Sequence, residues 1–93
     1  MEDKIAELVP CDHVVFTEFD TGEGILVDLN AKKYFQLNQT ATLVWRGLTA
    51  GRLRDEIIRE LIIEYDVEAE QATRSVERLL ASLRDFRLVH LQE

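Results

Sequence analysis

The sequence contains one cysteine, one proline and no apolar run of membrane-spanning length. A single cysteine excludes an internal disulfide and is typical of a reducing compartment. A membrane-spanning helix needs about 18 consecutive apolar residues, and no stretch of this chain approaches that length. The N-terminal segment MEDKIAELVPCDH has neither the basic start nor the apolar stretch of a secretory signal. We therefore expect a cytoplasmic protein with no membrane partner.

Residues arranged for catalysis or metal binding are also scarce. Cys11, Asp12 and His13 combine a nucleophile, an acid and a base, but they are consecutive. On a strand, residues 11 and 13 share one face and residue 12 points to the other, so no catalytic triad forms locally. A Cys-x-His pair, with His90 as the second histidine, is too little for a zinc site. There is no glycine-rich phosphate loop, so we expect a protein that is not an enzyme and has no metal or cofactor.

Negative charge is concentrated in the first third of the chain. Residues 1–31 contain eight acidic residues against Lys4 alone, whereas residues 32–93 contain ten acidic and ten basic residues. The formal net charge of −7 therefore lies in the first segment. Nucleic acid binding depends on clustered Lys and Arg, and residues 68–87 balance four arginines with four acids. We expect no nucleic acid partner.

The hydrophobic pattern predicts one domain over residues 1–93, with 1–12 as a flexible or loosely packed N-terminal segment. Two β-rich runs, HVVFTEFD (13–20) and GILVDLN (24–30), are separated by TGE, which is typical of a hairpin. Asn30 is expected to turn the chain, because Asn tolerates left-handed backbone or bonds its own backbone nearby. A third strand over 33–37 completes an antiparallel meander whose edges are the first and third strands.

Three helices are expected after the strands. Asn38 suits the N-cap of the first helix, while Gly47 and Gly51 are expected to mark its end and the following turn. The second helix is predicted over about 53–65 and the third over about 68–86. In the third helix, apolar residues recur at spacings of three and four: Ala69, Ala72, Val76, Leu79, Leu80, Leu83 and Phe86.

The element order predicts an α+β fold that is winged helix-turn-helix-like, with a three-stranded antiparallel sheet followed by three helices. The last apolar run, 88–91, is expected to form either an extra strand or a packed tail. Winged domains often bind DNA through their third helix. A DNA-binding regulator therefore stands as the alternative function from a different class.

The third strand differs from the first in its charges. The first strand is flanked by acidic residues, whereas no acid occurs from Ala31 to Thr42 and the charges there are Lys32 and Lys33. An extended peptide could add to such an edge as a fourth strand, with Tyr34 and Phe35 as anchors. Alternatively, one aromatic belongs to the core and the lysines are only solvated. The residues alone leave both interpretations open.

Two segments, ILVDLNAKKYFQLNQTATLVWRGL and LRDEIIRELIIEYDVEAEQATRSVERLLASLRDFRLV, resemble the PqqD-like family, also called RiPP recognition elements. The shared pattern is a hairpin ending in D-L-(turn)-Y-F-x-L-N, then A-x-x-V/I-W with a glycine-containing turn, then Y-D-V before an amphipathic helix. The resemblance covers roughly residues 13–91. It implies a non-catalytic domain that holds the leader segment of a ribosomally made precursor peptide on its third strand, beneath the third helix.

Within that family the chain is most similar to the free-standing leader-binding proteins of lasso-peptide biosynthesis. The resemblance implies three partners: the precursor peptide, a separate cysteine-protease-type leader peptidase and a cyclase. The chaperone of pyrroloquinoline quinone biosynthesis is the alternative. That group usually carries a Pro–Arg-containing first segment, whereas Pro10 is followed here by Cys11.

The resemblance also implies the peptide-binding residues. The edge-strand role falls on five of them: Lys33, Tyr34, Phe35, Gln36 and Leu37. On the third helix the candidates are Arg74, Val76 and Arg78, and only the arginines remain if Val76 faces the core. Leaders of this kind often carry acidic residues, which the lysine-bearing edge would tolerate better than the acidic first strand.

Overall fold

The computed structural model describes residues 8–91 of the chain. Within these residues a three-stranded antiparallel sheet is followed by three helices, which confirms the predicted fold class. The elements are β1 (Leu8–Pro10), β2 (Val14–Glu18), β3 (Gly24–Asp28), β4 (Lys33–Leu37), α1 (Gln39–Thr49), α2 (Arg54–Tyr65), α3 (Ala69–Asp85) and β5 (Val89–Leu91). No helix among the described residues combines the length and apolarity that crossing a bilayer requires.

The sheet has the strand order β2-β3-β4, so β2 and β4 are its two edges. Phe16, Leu26 and Phe35 are cross-strand neighbours in the middle of the three strands. Leu26 is fully buried, and Phe16 and Phe35 pack against the core around it. This face of the sheet is therefore covered by the helices, and β4 is placed at the margin of the covered region.

The ends of the described chain form a two-stranded ribbon. Leu8 pairs with Leu91 and Pro10 with Val89, and the amide of Cys11 donates to the carbonyl of Leu88 at 3.0 Å. The structure therefore differs from the expected loose segment over 8–12, while residues 1–7 lie outside the described part of the chain. Of the two options for the last apolar run, the extra strand is the observed one. Each run gives the other the backbone partners that it lacks locally.

The helix pair α1–α2 packs closely through a glycine. Gly47 is buried within α1, and a Cβ atom there would lie 2.6 Å from Cγ1 of Ile57, which is itself fully buried. The prediction that Gly47 marks the end of the helix is wrong. Gly51, with φ of +77°, lies in the turn after α1 as expected.

The turn between β3 and β4 is organised by a buried carboxylate. Asp28 is 4% exposed, and its Oδ1 accepts hydrogen bonds from the amides of Asn30 and Ala31, both at 3.0 Å. Asn30 lies within this turn as expected, and the residue with left-handed backbone is Lys32, with φ of 59°. Asp28 can bond these two amides because its short side chain lies close to the backbone that follows it. The turn holds β4 in register beside β3.

Candidate peptide-binding site

The outer edge of β4 presents the backbone groups of Tyr34 and Gln36. The amide of Leu29 donates to the carbonyl of His13 at 2.9 Å, so the odd-numbered residues of β3 direct their backbone groups toward β2. The even-numbered residues face β4, where their partners are Lys33, Phe35 and Leu37. Because this direction alternates along a strand, the N–H and C=O groups of Tyr34 and Gln36 point away from β3. No other strand of residues 8–91 pairs with that edge.

The side chains of β4 alternate between the two faces of the sheet. Leu37 is buried and Phe35 half-buried on the helix-covered face, where Lys33 is exposed at the start of the strand. Tyr34 is 70% exposed on the open face, and Gln36 is exposed beside it. Of the two adjacent aromatics, one therefore packs against the core and the other is available at the surface.

Phe35 also contacts the residue that ends α3. The ring centroids of Phe35 and Phe86 are 5.0 Å apart, and Phe86 is 53% exposed. The spacing of apolar residues included Phe86 in the third helix, whereas the structure places it just after the helix. The helix ends at Asp85, so Phe86 lies past its last turn and packs against the edge of the sheet. The pair forms an apolar wall beside the free edge.

A groove of about 330 Å3 lies where β4 ends, between the start of α1 and α3. Among residues 8–91, none of those that line it is acidic. Its polar lining combines Arg78 with the N-terminal end of α1, where Asn38 accepts the Ala41 amide at 2.9 Å. The amides at a helix start carry partial positive charge, so this lining favours a carboxylate. Apolar and small residues complete it, among them Val76, Leu79, Ser75 and Ser82.

The three α3 residues implied by the family resemblance have different surroundings. Arg78 lines the groove directly, and Val76 is 1% exposed, so it forms part of the groove floor and of the core at once. Arg74 does not line the groove, and its Nη2 lies 3.9 Å from a carboxylate oxygen of Glu70, one turn earlier. The structure therefore brings Arg78 and Val76 together with the end of β4 and leaves Arg74 outside.

Several groove residues were not predicted as site residues. Asn38 was predicted only as a helix cap, a role that it also has. Ser75 and Ser82 are seven positions apart on α3, so they share one face of the helix. Two serines seven positions apart on one face of α3 are the sequence feature that could have indicated a groove there. Phe86 offered no such feature, because its spacing matches a core position.

The thiol of the candidate triplet, Cys11, Asp12 and His13, lies in surroundings that disfavour its ionised form. Burial raises the pKa of the Cys11 thiol, and the negative charges of Asp12 and Asp28 raise it further. A thiol of this kind stays protonated at neutral pH and is a poor nucleophile. His13 lies with Nε2 3.7 Å from Oδ1 of Asp28. Among residues 8–91, no group of three or more His, Cys, Asp or Glu side chains is placed to hold a metal ion.

The fold and the edge define a class: small α+β domains with a free edge strand beside a groove, able to accept an extended peptide. The family described as coenzyme PQQ synthesis protein D (PqqD) matches residues 23–89 of the chain. The chain belongs to this family, which confirms the family resemblance seen in the sequence. A comparison with curated proteins gave no match.

Two solved structures are similar to the chain. One is TbiB1 in complex with the TbiA(beta) leader peptide, which is 26% identical, with a TM-score of 0.84 over 91% of this chain and 98% of that one. The other is lasso peptide synthetase B1 complexed with the leader peptide, which is 29% identical, with a TM-score of 0.82 over 91% of this chain and 99% of that one. Both similar proteins were therefore solved with a leader peptide bound.

Proposed function

We propose that this protein binds the leader segment of a ribosomally synthesised precursor peptide and delivers the precursor to modifying enzymes of lasso-peptide biosynthesis. The observation that carries the proposal is the outward-facing backbone of Tyr34 and Gln36 beside the groove that Arg78 lines. An extended peptide can pair with such an edge as an added strand. The similarity to two structures that contain leader peptides supports the assignment.

In this proposal the leader pairs with the outer edge of β4. The backbone groups of Tyr34 and Gln36 exchange hydrogen bonds with it, while Phe35 and Leu37 lie on the helix-covered face that alternate leader side chains would meet. Lys33 is exposed at the start of the strand and attracts acidic leader residues. Main-chain bonds supply affinity along the strand, and the groove supplies specificity.

The three candidate residues of α3 contribute unequally to leader binding. Arg78 lines the groove next to the positive end of α1, so it is placed to pair with a leader carboxylate. Val76 supports the groove from beneath, because it is almost fully buried. Arg74 is exposed and paired with Glu70, so it acts on the leader only through its charge.

The protein itself catalyses no step in this proposal, and its partners supply the chemistry. The raised pKa of Cys11 leaves the single thiol of the chain protonated at neutral pH, which argues against a covalent role. The partners implied by the family resemblance are a cysteine-protease-type leader peptidase and a cyclase. A bound leader keeps the rest of the precursor tethered and raises its effective concentration for these enzymes.

A second candidate function is that of a chaperone for the precursor of pyrroloquinoline quinone. The observation that favours it is the description of the matching family, coenzyme PQQ synthesis protein D. Both candidates use the same edge, so they differ in the peptide that fits the groove.

Fluorescence polarisation with labelled peptides tests the two candidates together. The probes are the leader of a lasso precursor from the same genome, the precursor of pyrroloquinoline quinone, and a scrambled leader of the same composition. We expect saturable binding of the lasso leader and at least tenfold weaker binding of the other two. Tighter binding of the quinone precursor would favour the chaperone, and equal binding of the scrambled leader would contradict both functions.

A further inference from the structure

Five residues within 8–91 have left-handed backbone, and three of them are not glycine. The glycines are Gly22 and Gly51, and the others are Lys32, Asp66 and Arg87, with φ of 59°, 52° and 60°. Left-handed backbone brings the Cβ atom of an ordinary residue too close to the following carbonyl oxygen. Glycine has no Cβ atom, and Asp and Asn tolerate the position better than other residues do. Lys32 and Arg87 are therefore the two positions at which the residue type is most strained.

Arg87 occupies the position after α3 at which glycine is the common residue. The amide of Leu88 donates to the carbonyl of Leu83 at 2.9 Å, and the amide of Arg87 donates to the carbonyl of Arg84 at 3.0 Å. These are the two bonds of a Schellman motif, whose left-handed residue is glycine in most helices. Both bonds use backbone groups alone, so the end of the helix does not require the arginine side chain.

Lys32 occupies a comparable position in the turn between β3 and β4. Its amide donates to the carbonyl of Asp28 at 2.7 Å, and its side chain is exposed. The carboxylate of Asp28 holds the two preceding amides of the turn. None of these bonds uses the lysine side chain, so glycine would fit this turn with less strain.

The two strained residues share their charge and their place beside the edge strand. Lys32 directly precedes β4, and Arg87 directly follows Phe86, whose ring packs against Phe35 in that strand. Both side chains are exposed, and no carboxylate of residues 8–91 forms an ion pair with either of them. Asp66 is acidic and lies before α3, so the 17 residues of that helix separate it from Arg87 by about 25 Å at about 1.5 Å per residue. Backbone strain that the fold itself does not use is a mark of function.

We propose that Lys32 and Arg87 are specificity-determining residues, kept at left-handed positions because their charges select leaders with acidic residues beside the segment that pairs with β4. This inference rests on the proposed function, because its ligand is the leader. Cations at the rim of a binding edge accelerate encounter with an acidic peptide and disfavour a basic one. The protein thus has lower stability at two positions and gains selectivity at the strand between them.

Glycine at each position tests the proposal through stability and affinity together. Lys32→Gly and Arg87→Gly should each raise the melting temperature of the free protein by about 4 °C, because they relieve the strain. Each should also raise the Kd for the leader of a lasso precursor from the same genome about three- to fivefold at low salt. Asp66→Gly is the matched control, and it should raise the melting temperature while the Kd stays within about twofold. Lys32→Arg and Arg87→Lys keep the charge and should bind this leader as the wild-type protein does.

A second probe separates charge from backbone flexibility. It is a copy of the same leader in which Asn and Gln replace Asp and Glu, and both glycine variants should bind it as tightly as the wild-type protein does. Lys32→Asn and Arg87→Asn remove the charge but tolerate left-handed backbone without the full flexibility of glycine. They should therefore lose as much affinity for the acidic leader as the glycine variants lose.

Three results would overturn the assignment of Lys32 and Arg87. The first is an unchanged Kd in both glycine variants for a leader that the wild-type protein binds. The second is an equal loss of affinity for the acidic and the neutral probe, which would make flexibility the cause. The third is a lower melting temperature in the glycine variants, which would mean that the two side chains stabilise the fold. Absence of leader binding by the wild-type protein would instead reject the proposed function, and it is measured first.

Discussion

The ring of Phe35 in the edge strand packs against the ring of Phe86 at the end of α3, with centroids 5.0 Å apart and planes inclined at 47°. This contact joins the strand that offers its backbone to the helix that lines the groove. Neither ring is fully buried. A leader strand laid along β4 would cover both rings, so part of its binding free energy should come from this pair.

Replacing Phe86 by alanine should therefore weaken leader binding more than it weakens the fold. Loss of a half-exposed aromatic partner costs about 0.5–1.5 kcal/mol, which is about a two- to tenfold rise in Kd. Polarisation titration measures the affinity, and thermal unfolding measures the stability. Ile63→Ala, which removes an exposed apolar side chain from α2, is the control and should bind the leader normally. Unchanged affinity in Phe86→Ala would place the leader away from this wall.

Proline substitutions along β4 test the direction of its backbone groups. Tyr34→Pro and Gln36→Pro each remove one outward N–H, and an edge strand accepts proline there without losing its bond to β3. We expect leader affinity to fall by about 1–3 kcal/mol, the cost of an unmatched buried partner, with little change in the melting temperature of the free protein.

The matched control is Phe35→Pro, in the same strand. The N–H of Phe35 points to β3, so this variant should lose ladder bonding and destabilise the free protein. A stable Phe35→Pro together with unfolded Tyr34→Pro and Gln36→Pro would reverse the assigned direction. If all three variants fold and bind normally, the leader does not add to this edge.

Charge reversal at two arginines of α3 distinguishes groove contact from general attraction. Arg78 lines the groove and Arg74, one turn earlier, does not. Arg78→Glu should weaken an acidic leader at least fivefold more than Arg74→Glu does, because it places a like charge in the groove. The part of the loss that is due to steering should shrink as salt rises, since exposed charges are screened within about 10 Å at 0.1 M. Equal losses for the two variants would mean that only net charge matters.

The thiol of Cys11 is expected to react slowly with alkylating reagents at neutral pH. Its pKa is raised by burial and then by neighbouring carboxylates, so alkylation by iodoacetamide should be slower than for free cysteine and should accelerate above pH 9. A raised pKa means that the folded state favours the protonated thiol. This preference adds to the free energy of unfolding at pH values below the ordinary pKa of the thiol. The contribution is lost as pH rises through the pKa of the thiol in the folded protein. Cys11→Ala should support normal precursor processing, and abolished processing with normal leader binding would contradict a non-catalytic role.

Gly47→Ala tests the close packing of α1 on α2. The added Cβ would meet Cγ1 of the fully buried Ile57, so the overpacking cost of about 1–3 kcal/mol should exceed the gain of about 0.5–1 kcal/mol from replacing a helical glycine. Chemical denaturation should show a lower free energy of unfolding. The double variant Gly47→Ala with Ile57→Ala lacks the clashing Cγ1, so a stability loss smaller than the sum of the two single losses would confirm that the clash is the cause.

Local patterns in the sequence were enough to predict the three helices and the three strands of the main sheet, because each has its own periodicity. The strand over 33–37 was predicted with the bounds that the structure has, and α1 begins after Asn38 as expected. The difference between the third strand and the first was also visible, since Lys32 and Lys33 directly follow the acidic residues 1–31. Propensity, capping and charge act within a few residues, so sequence is sufficient for them.

Contacts between distant segments were decided by the tertiary structure. Pairing of Leu8–Pro10 with Val89–Leu91 joins opposite ends of the described chain, and no local pattern specifies such a partner. Phe86 has core spacing but lies past the end of its helix, where the nearest apolar surface is Phe35. Glycine is a residue type typical of helix ends, but Gly47 lies within α1 and allows that helix to approach Ile57 closely.

The sequence by itself determined that a lysine-bearing strand with adjacent aromatics precedes three helices, because residue type and spacing carry that information. Only the tertiary structure decided that Tyr34 and Gln36 present their backbone outward and that Arg78, rather than Arg74, lines the groove. Backbone direction follows from the register between strands, and register depends on how β3 and its buried Asp28 sit against the rest of the fold. The side of a helix that meets a groove depends likewise on the angle at which the helix packs, which no single segment encodes.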